Sequence, residues 1–274
     1  MANVSELDPS ASPLNYYGYE LRRLREAAGL TLNQLGKIIF CTGSLIGQIE
    51  TARKAPTREV TERADAALGA EGALMRLWPL VARSQLPGWF QPYAEMEAIA
   101  TYISTYQTQL VHGLLQTEEY AREVLGVLTK DRLDVRVEAR SERQRILDRA
   151  NPPAVWVVLS EAVLHGSIGG PDVMRGQLAH LLTFRAREDV NVQVLPFTTG
   201  AHAGLPGSFN VLRFKEEPDI VYTENYDGGQ MTFNPAAVRD RSLRYDHLQA
   251  AALSIEDSAE RIAQVMEEHY GEHP

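Results

Sequence analysis

Apolar residues in the first third of the chain recur at intervals of three and four, the repeat of a helix that buries one face. Leu21, Leu24 and Ala28 mark such a face from about Tyr17 onward, and Gly29 stops it. Thr31 is placed to cap a second helix, with Leu32, Leu35, Ile38 and Ile39 inward. After a short Phe40-Cys41 connection, Thr42 is placed to cap a third helix carrying Leu45, Ile46 and Ile49. Ala52-Arg53-Lys54-Ala55-Pro56 ends it, because a residue before proline avoids helical angles. A fourth helix is predicted over Thr57–Leu68. A fifth, over Glu71–Arg83, presents Leu74, Leu77, Trp78 and Val81. These helices predict a compact all-α domain over residues 16–84. Residues 1–15 are polar, contain Pro9 and Pro13, and read as a disordered arm.

The pattern changes after a junction at Ser84–Gly88. Residues 101–110 alternate loosely, Val155–Leu159 is a continuous apolar run, and Val192–Leu195, Phe209–Phe214, Ile220–Tyr222 and Met231–Phe233 lie between Gly, Pro and Asn turns. All of these read as strands. Helices are expected after Thr117, over Arg132–Arg149, over Val173–Arg187 and within Ala236–His269. The fold class is therefore multidomain: an N-terminal all-α five-helix domain, then a mixed α+β domain over residues 85–274 with a central sheet and flanking helices.

Composition changes this picture in few places. A length of 274 residues suits two domains. The single cysteine, Cys41, forbids an internal disulfide and suits a reducing compartment. The opening MANVSELDPSASP lacks the basic and apolar regions of a signal peptide, and no run approaches the ~18 apolar residues of a membrane span, so a cytoplasmic location and no membrane partner are expected. The net charge of −9 disfavours nucleic acid for the chain as a whole, but the charge is uneven. Over residues 14–60, seven basic side chains oppose four acidic ones, whereas residues 86–274 hold 17 basic and 27 acidic. The acidic part is expected to face away from DNA.

The stretch TLNQLGKIIFCTGSLIGQIETARKAP carries the strongest signal. A helix-turn-helix needs a small residue where its two helices cross, which Gly36 supplies, and apolar residues to lock the angle, for which Leu35, Ile46 and Ile49 are suitably spaced. It also needs short polar residues at the start of the second helix, where Thr42, Gly43, Ser44, Gly47 and Gln48 fall. Over residues 17–69 the arrangement resembles the lambda-repressor-like, or XRE, family. Gly29-Leu30-Thr31, Ile46, Ile49, Glu50 and Arg53-Lys54-Ala55-Pro56 carry the likeness. The resemblance implies base-reading positions at Gly43, Ser44, Gly47 and Gln48, and phosphate contacts at Thr31, Thr42, Arg53 and Lys54, with Lys37 a further DNA-binding candidate. The chain departs from the family in having Leu32 where glutamine is frequent, and two glycines among the base-reading positions. Ser44 and Gln48 then carry most direct readout. The resemblance further implies a homodimer on a pseudo-palindromic double-stranded operator.

Residues 86–265 resemble a domain of unknown function common in actinobacterial helix-turn-helix regulators of the WhiJ type. The residues that carry this are Glu97, Gly113-Leu114-Leu115-Gln116-Thr117, Tyr120-Ala121-Arg122, Arg140, Arg143, Gln144, Glu161, Val194-Leu195-Pro196-Phe197, Gly207-Ser208-Phe209 and Val221-Tyr222-Thr223-Glu224, with His112 where proline is usual. The resemblance implies an antitoxin-like regulator whose second domain senses a ligand or a small protein encoded by a neighbouring gene. Glu161, Tyr222 and Glu224 follow apolar strands, and Arg140 and Arg143 are their expected charge partners, as a ligand or partner pocket or as an internal ion-pair network.

Other chemistry is not announced. Gly166-Ser167-Ile168-Gly169-Gly170 lacks the lysine of a phosphate loop. His112, His165, His180, His202 and His247 are scattered without metal-ligand spacing, and no Gly-x-Ser-x-Gly elbow is present. No catalytic residue, metal or cofactor is expected, and the chain reads as a regulator rather than an enzyme. The alternative is an interaction module that sequesters a small partner, with DNA contact incidental.

Overall fold

The computed structural model describes residues 7–127, 130 and 132–271, so the first six residues of the expected arm lie outside the described residues. The chain divides into two compact units. One is Met1–Gly88 together with Asp134–Glu142; the other is Trp89–Leu133 together with Arg143–Pro274.

The first unit contains α1 (Pro13–Ala27), α2 (Leu32–Ile38), α3 (Gly43–Glu50), α4 (Arg58–Ala67) and α5 (Ala73–Ser84). Local chemistry sets their starts. Thr31, Thr42 and Thr57 each accept the backbone N–H three residues on, at 3.2, 3.1 and 3.2 Å. Gln34 returns the favour to the Thr31 N–H at 2.8 Å, completing a capping box. The first helix begins before Tyr17, inside the expected arm, because Ser12 caps it and Pro13 suits its first turn. Tyr17, Leu21, Leu35, Ile39, Ile46, Ile49, Leu74, Trp78 and Val81 form the core. Ile38, expected inward, is 49% exposed, because α2 ends there and the turn carries Ile39 into the core instead.

The segment 134–142, expected in the second domain, counts with the first unit. It belongs to α8 (Leu133–Gln144), which is shorter than the expected Arg132–Arg149 helix and passes into a tight turn over Arg145–Asp148. Val135 packs on the α1–α5 core, and Glu138 and Glu142 bond to Arg58 and Trp78.

The second unit is built on a six-stranded mixed sheet of order β3-β2-β1-β4-β5-β6. Its strands are β1 (Tyr102–Gln107), β2 (Ala154–Ser160), β3 (Val190–Leu195), β4 (Phe209–Arg213), β5 (Ile220–Asn225) and β6 (Gly228–Thr232). The first three run parallel and the last three join antiparallel. Tyr106, Val158, Leu195, Phe209, Val211 and Val221 on one face pack with Tyr245 and Leu248 of α10 (Pro235–Ala251). α9 (Pro171–Thr183) links the parallel strands β2 and β3 and packs on α11 (Ile255–Tyr270). The border of β3 is sealed: Val194 donates its N–H to Ser258 Oγ at 2.9 Å, and its C=O accepts from the Leu253 N–H at 2.9 Å. The sequence reading did not anticipate α6 (Gln91–Ile99). α7 (Glu118–Gly126) starts at the expected cap, Thr117, whose Oγ accepts from the Tyr120 N–H at 3.2 Å.

Candidate nucleic-acid interface

The α2–turn–α3 geometry depends on close backbone approach. A Cβ on Gly36 would lie 2.7 Å from the Cys41 carbonyl oxygen and 3.0 Å from the Gly43 nitrogen, so nothing larger than glycine fits the crossing. Gly18 does the same between α1 and α3, where a Cβ would lie 2.6 Å from the Ile49 carbonyl oxygen. Sequence reasoning passed over Gly18; its only signal was a glycine inside an otherwise good helix. The turn places Phe40 at φ 58°, a left-handed conformation, with its ring 82% exposed and the Arg63 guanidinium 5.5 Å from its centre. Left-handed backbone is costly for a residue with a Cβ. Phe40→Gly is therefore expected to stabilise the fold by about 0.5–1 kcal/mol. A thermal midpoint that stays put or falls would contradict this.

α3 buries Ile46 and Ile49 completely. Ser44 and Gln48 on its other side are exposed, and Thr31, Lys37, Thr42, Arg53 and Lys54 are exposed around it. Thr31 and Thr42 spend a lone pair on capping, which leaves each hydroxyl proton free to donate. The Arg53 and Lys54 N–H groups both donate to the Gln48 carbonyl, at 2.9 and 3.2 Å, so the basic exit is tied to the end of the same helix. Gly47 is half-buried, and a Cβ there would meet only Leu32 Cδ1 at 3.4 Å. Gly43 is half-buried, and a Cβ there would lie 2.1 Å from Asn33 Oδ1, so a side chain at this position requires Asn33 to move aside.

Glu50 is internal. It is 3% exposed and takes both Nε and Nη2 of Arg25, at 2.6 and 2.8 Å, while Arg25 Nη1 donates to the Leu30 carbonyl at 2.8 Å. This pair fastens the end of α1 to α3. It also removes two charges from the surface balance, without altering its positive sign.

In the second unit the expected pairings are redistributed. Arg143 bonds Glu97 through two contacts rather than pairing with Glu161 or Glu224. Tyr93 donates to Glu97 Oε1 at 3.0 Å, the Tyr93 and Tyr222 rings stack at 3.9 Å, and Phe90 lies 4.9 Å from the Arg143 guanidinium. Burial alone would raise the Glu97 carboxyl, but the adjacent guanidinium outweighs it and holds Glu97 below its ordinary range. Burial, and then the carboxylate of Glu224, push the Tyr222 phenol well above its ordinary value. Glu224 itself is exposed. Glu161 pairs with Arg261, a hundred residues away, at 2.7 and 2.5 Å, and accepts the Phe197 N–H at 2.7 Å. Burial opposes ionisation of Glu161 too, and the Phe197 amide and Arg261 overcome it. Arg140 lies in the part of α8 that counts with the first unit. Sequence reasoning missed Arg261 because nothing local ties it to Glu161.

A helix-turn-helix with one polar, exposed helix face defines a protein of the DNA-binding regulator class. Residues 17–78 match the description "Helix-turn-helix domain", and residues 90–264 match "Domain of unknown function (DUF5753)". The second match spans more than half of the 274 residues, and the chain belongs to that family. No curated protein and no solved structure matches the chain. No helix among the described residues is long and apolar enough to cross a membrane.

Proposed function

We propose that this protein is a sequence-specific transcriptional regulator that reads double-stranded DNA with α3. The observation that carries the proposal is the division of α3: Ile46 and Ile49 are sealed in the core while Ser44 and Gln48 stand exposed beside Arg53 and Lys54. Gln48 has the donor–acceptor pair for a bidentate contact to adenine, worth roughly 1–3 kcal/mol of discrimination. Arg53 and Lys54 hold phosphates and set register. One such module supports modest affinity, so the proposal includes a cytoplasmic homodimer on a pseudo-palindromic site with half-sites roughly 34 Å apart.

The second unit is proposed as a sensor or partner-binding module of the WhiJ, antitoxin-like type, paired with a small protein encoded nearby, and not as an enzyme. Arg143–Glu97 and Glu161–Arg261 support a scaffold role for the charged residues within it, since each carboxylate is already satisfied. The test is genome-wide binding-site mapping, followed by mobility shifts on the recovered sites with and without the neighbouring small protein. Gln48→Ala is expected to relax discrimination among operator variants. Lys54→Ala is expected to weaken all of them alike and to lower the salt slope by about one. Identical profiles for the two variants would break the assignment.

A further inference from the structure

The sheet of the second unit has two edges, and only one is closed. At β3, Ser258 and the Leu253 amide take the outward groups of Val194. At the other edge, β6 follows β5 through the two-residue turn Tyr226-Asp227, with Asn225 opposite Gly228. Such a turn makes that closing pair a hydrogen-bonded one, and bonded pairs then alternate along an antiparallel ladder. Gly228, Gln230 and Thr232 therefore serve β5, and the N–H and C=O groups of Gly229 and Met231 point away from the sheet. Neither of these two backbones bonds another described residue outside the ladder. The strand also lacks the usual protection of an edge, since it holds no proline and no charge. Exposed apolar side chains surround it instead. The Trp89 ring lies 3.2 Å from where a Gly228 Cβ would sit, Tyr226 forms the turn, and Phe233 follows the strand directly. Aromatic residues and methionine are the types that interfaces collect.

We propose that two copies of this chain join along β6, antiparallel about Gln230, so that their sheets become one continuous sheet. The strand is self-complementary in that register. Gly229 of each copy stands opposite the partner's Met231, and the four outward N–H and four outward C=O groups of the two copies form four hydrogen bonds. Met231 lands where the partner's Tyr222 hydroxyl fills the space of a Gly229 Cβ, which would lie 2.2 Å from it, and a thioether packs well on an aromatic rim. Charge selects a second copy as the occupant. The chain carries −9, so two copies repel each other over most of their surface, yet no ionisable side chain occurs from Gly228 to Val238. Like charges directly opposite each other, which would split a pair of edge strands, are therefore absent. The inference deepens the proposed homodimer by assigning its interface, and it rests on that reading.

The test is sedimentation equilibrium on the full chain without DNA, over roughly 1–100 μM, the range in which a small interface associates. The unaltered chain is expected to dimerise. Met231→Pro removes one outward N–H from each copy while leaving the bonds to β5 in place, a substitution that edge strands accept. It is expected to raise the dissociation constant about thirtyfold, the factor for two backbone hydrogen bonds of ordinary net strength. Cys41→Ala/Gln230→Cys reads the register itself. Residues facing each other at the two-fold axis in a non-bonded pair lie about 4.5 Å apart, within disulfide reach, so mild oxidation is expected to link the two copies covalently. A chain that stays monomeric throughout overturns the interface and the homodimer reading together. A dimer that Met231→Pro does not weaken, or that Gln230→Cys does not cross-link, overturns the interface alone. The cross-link is read on a variant with an ordinary backbone, so a proline variant that fails to fold leaves the proposal open to refutation.

Discussion

Arg143→Met should lower stability by about 3–5 kcal/mol, because it strands a charge that the fold has taken out of water. Glu97 lies on α6 with a fully buried side chain, and Arg143 provides both of its guanidinium contacts. Methionine retains much of the bulk over Phe90 and removes only the charge and the donors. Tyr93 alone remains to Glu97, and one neutral hydroxyl does not balance a buried carboxylate. The pH response carries the sign. With Arg143 present, the folded carboxyl titrates below its ordinary value of 4.5. The pair's contribution is therefore complete above that value and is lost as acid carries the pH down through the lower, folded one. In the variant, burial is opposed only by the Tyr93 hydroxyl and by His112, and it raises the folded carboxyl instead, so protonation should recover stability. Denaturant unfolding at neutral pH and at about pH 4 checks both parts. A loss under about 1 kcal/mol, or an unchanged acid response, would contradict the account.

Arg25→Met should have the second largest effect, about 3 kcal/mol, at the low end of the range for a broken buried pair. Glu50 keeps one cation within reach, since Arg22 Nε lies 3.9 Å from its Oε2. The substitution also frees the Leu30 carbonyl from Arg25, loosening the turn that leads into α2. Thermal unfolding should show the loss. DNA binding measured well below the new midpoint should weaken further than Lys54→Ala alone explains, because α3 loses its anchor to α1. A stable variant with unaltered affinity would show that the pair is dispensable.

What the sequence displayed was local. Thr31, Thr42 and Thr117 were readable as caps because a cap and its target are three residues apart. Gly36 was readable because one small residue at a helix crossing has one physical use. What stayed hidden was non-local or patternless. The helix over Gln91–Ile99 starts beside Pro92 and has a weak apolar face, so periodicity did not mark it. Glycines open β6, and glycine carries no strand preference, so the strand was expected at Met231–Phe233 instead. Glu161 was expected beside Arg140 or Arg143 because those two arginines belong to the motif that carries the family resemblance; chain topology brought Arg261 instead. Segment 134–142 reads as the middle of one charged helix, and nothing in it announces that its acids serve the start of α4.

The sealing of β3 sets an order of events in synthesis. Ser258, which takes the Val194 N–H, lies 64 residues further along the chain. At about 5–20 residues per second, a ribosome delivers it roughly 3–13 s after the strand has emerged. For that interval the nascent sheet has an unfinished, valine-rich margin, the kind of surface on which neighbouring chains join. Yield should therefore depend on temperature and translation rate more steeply than the stability of the finished protein would suggest.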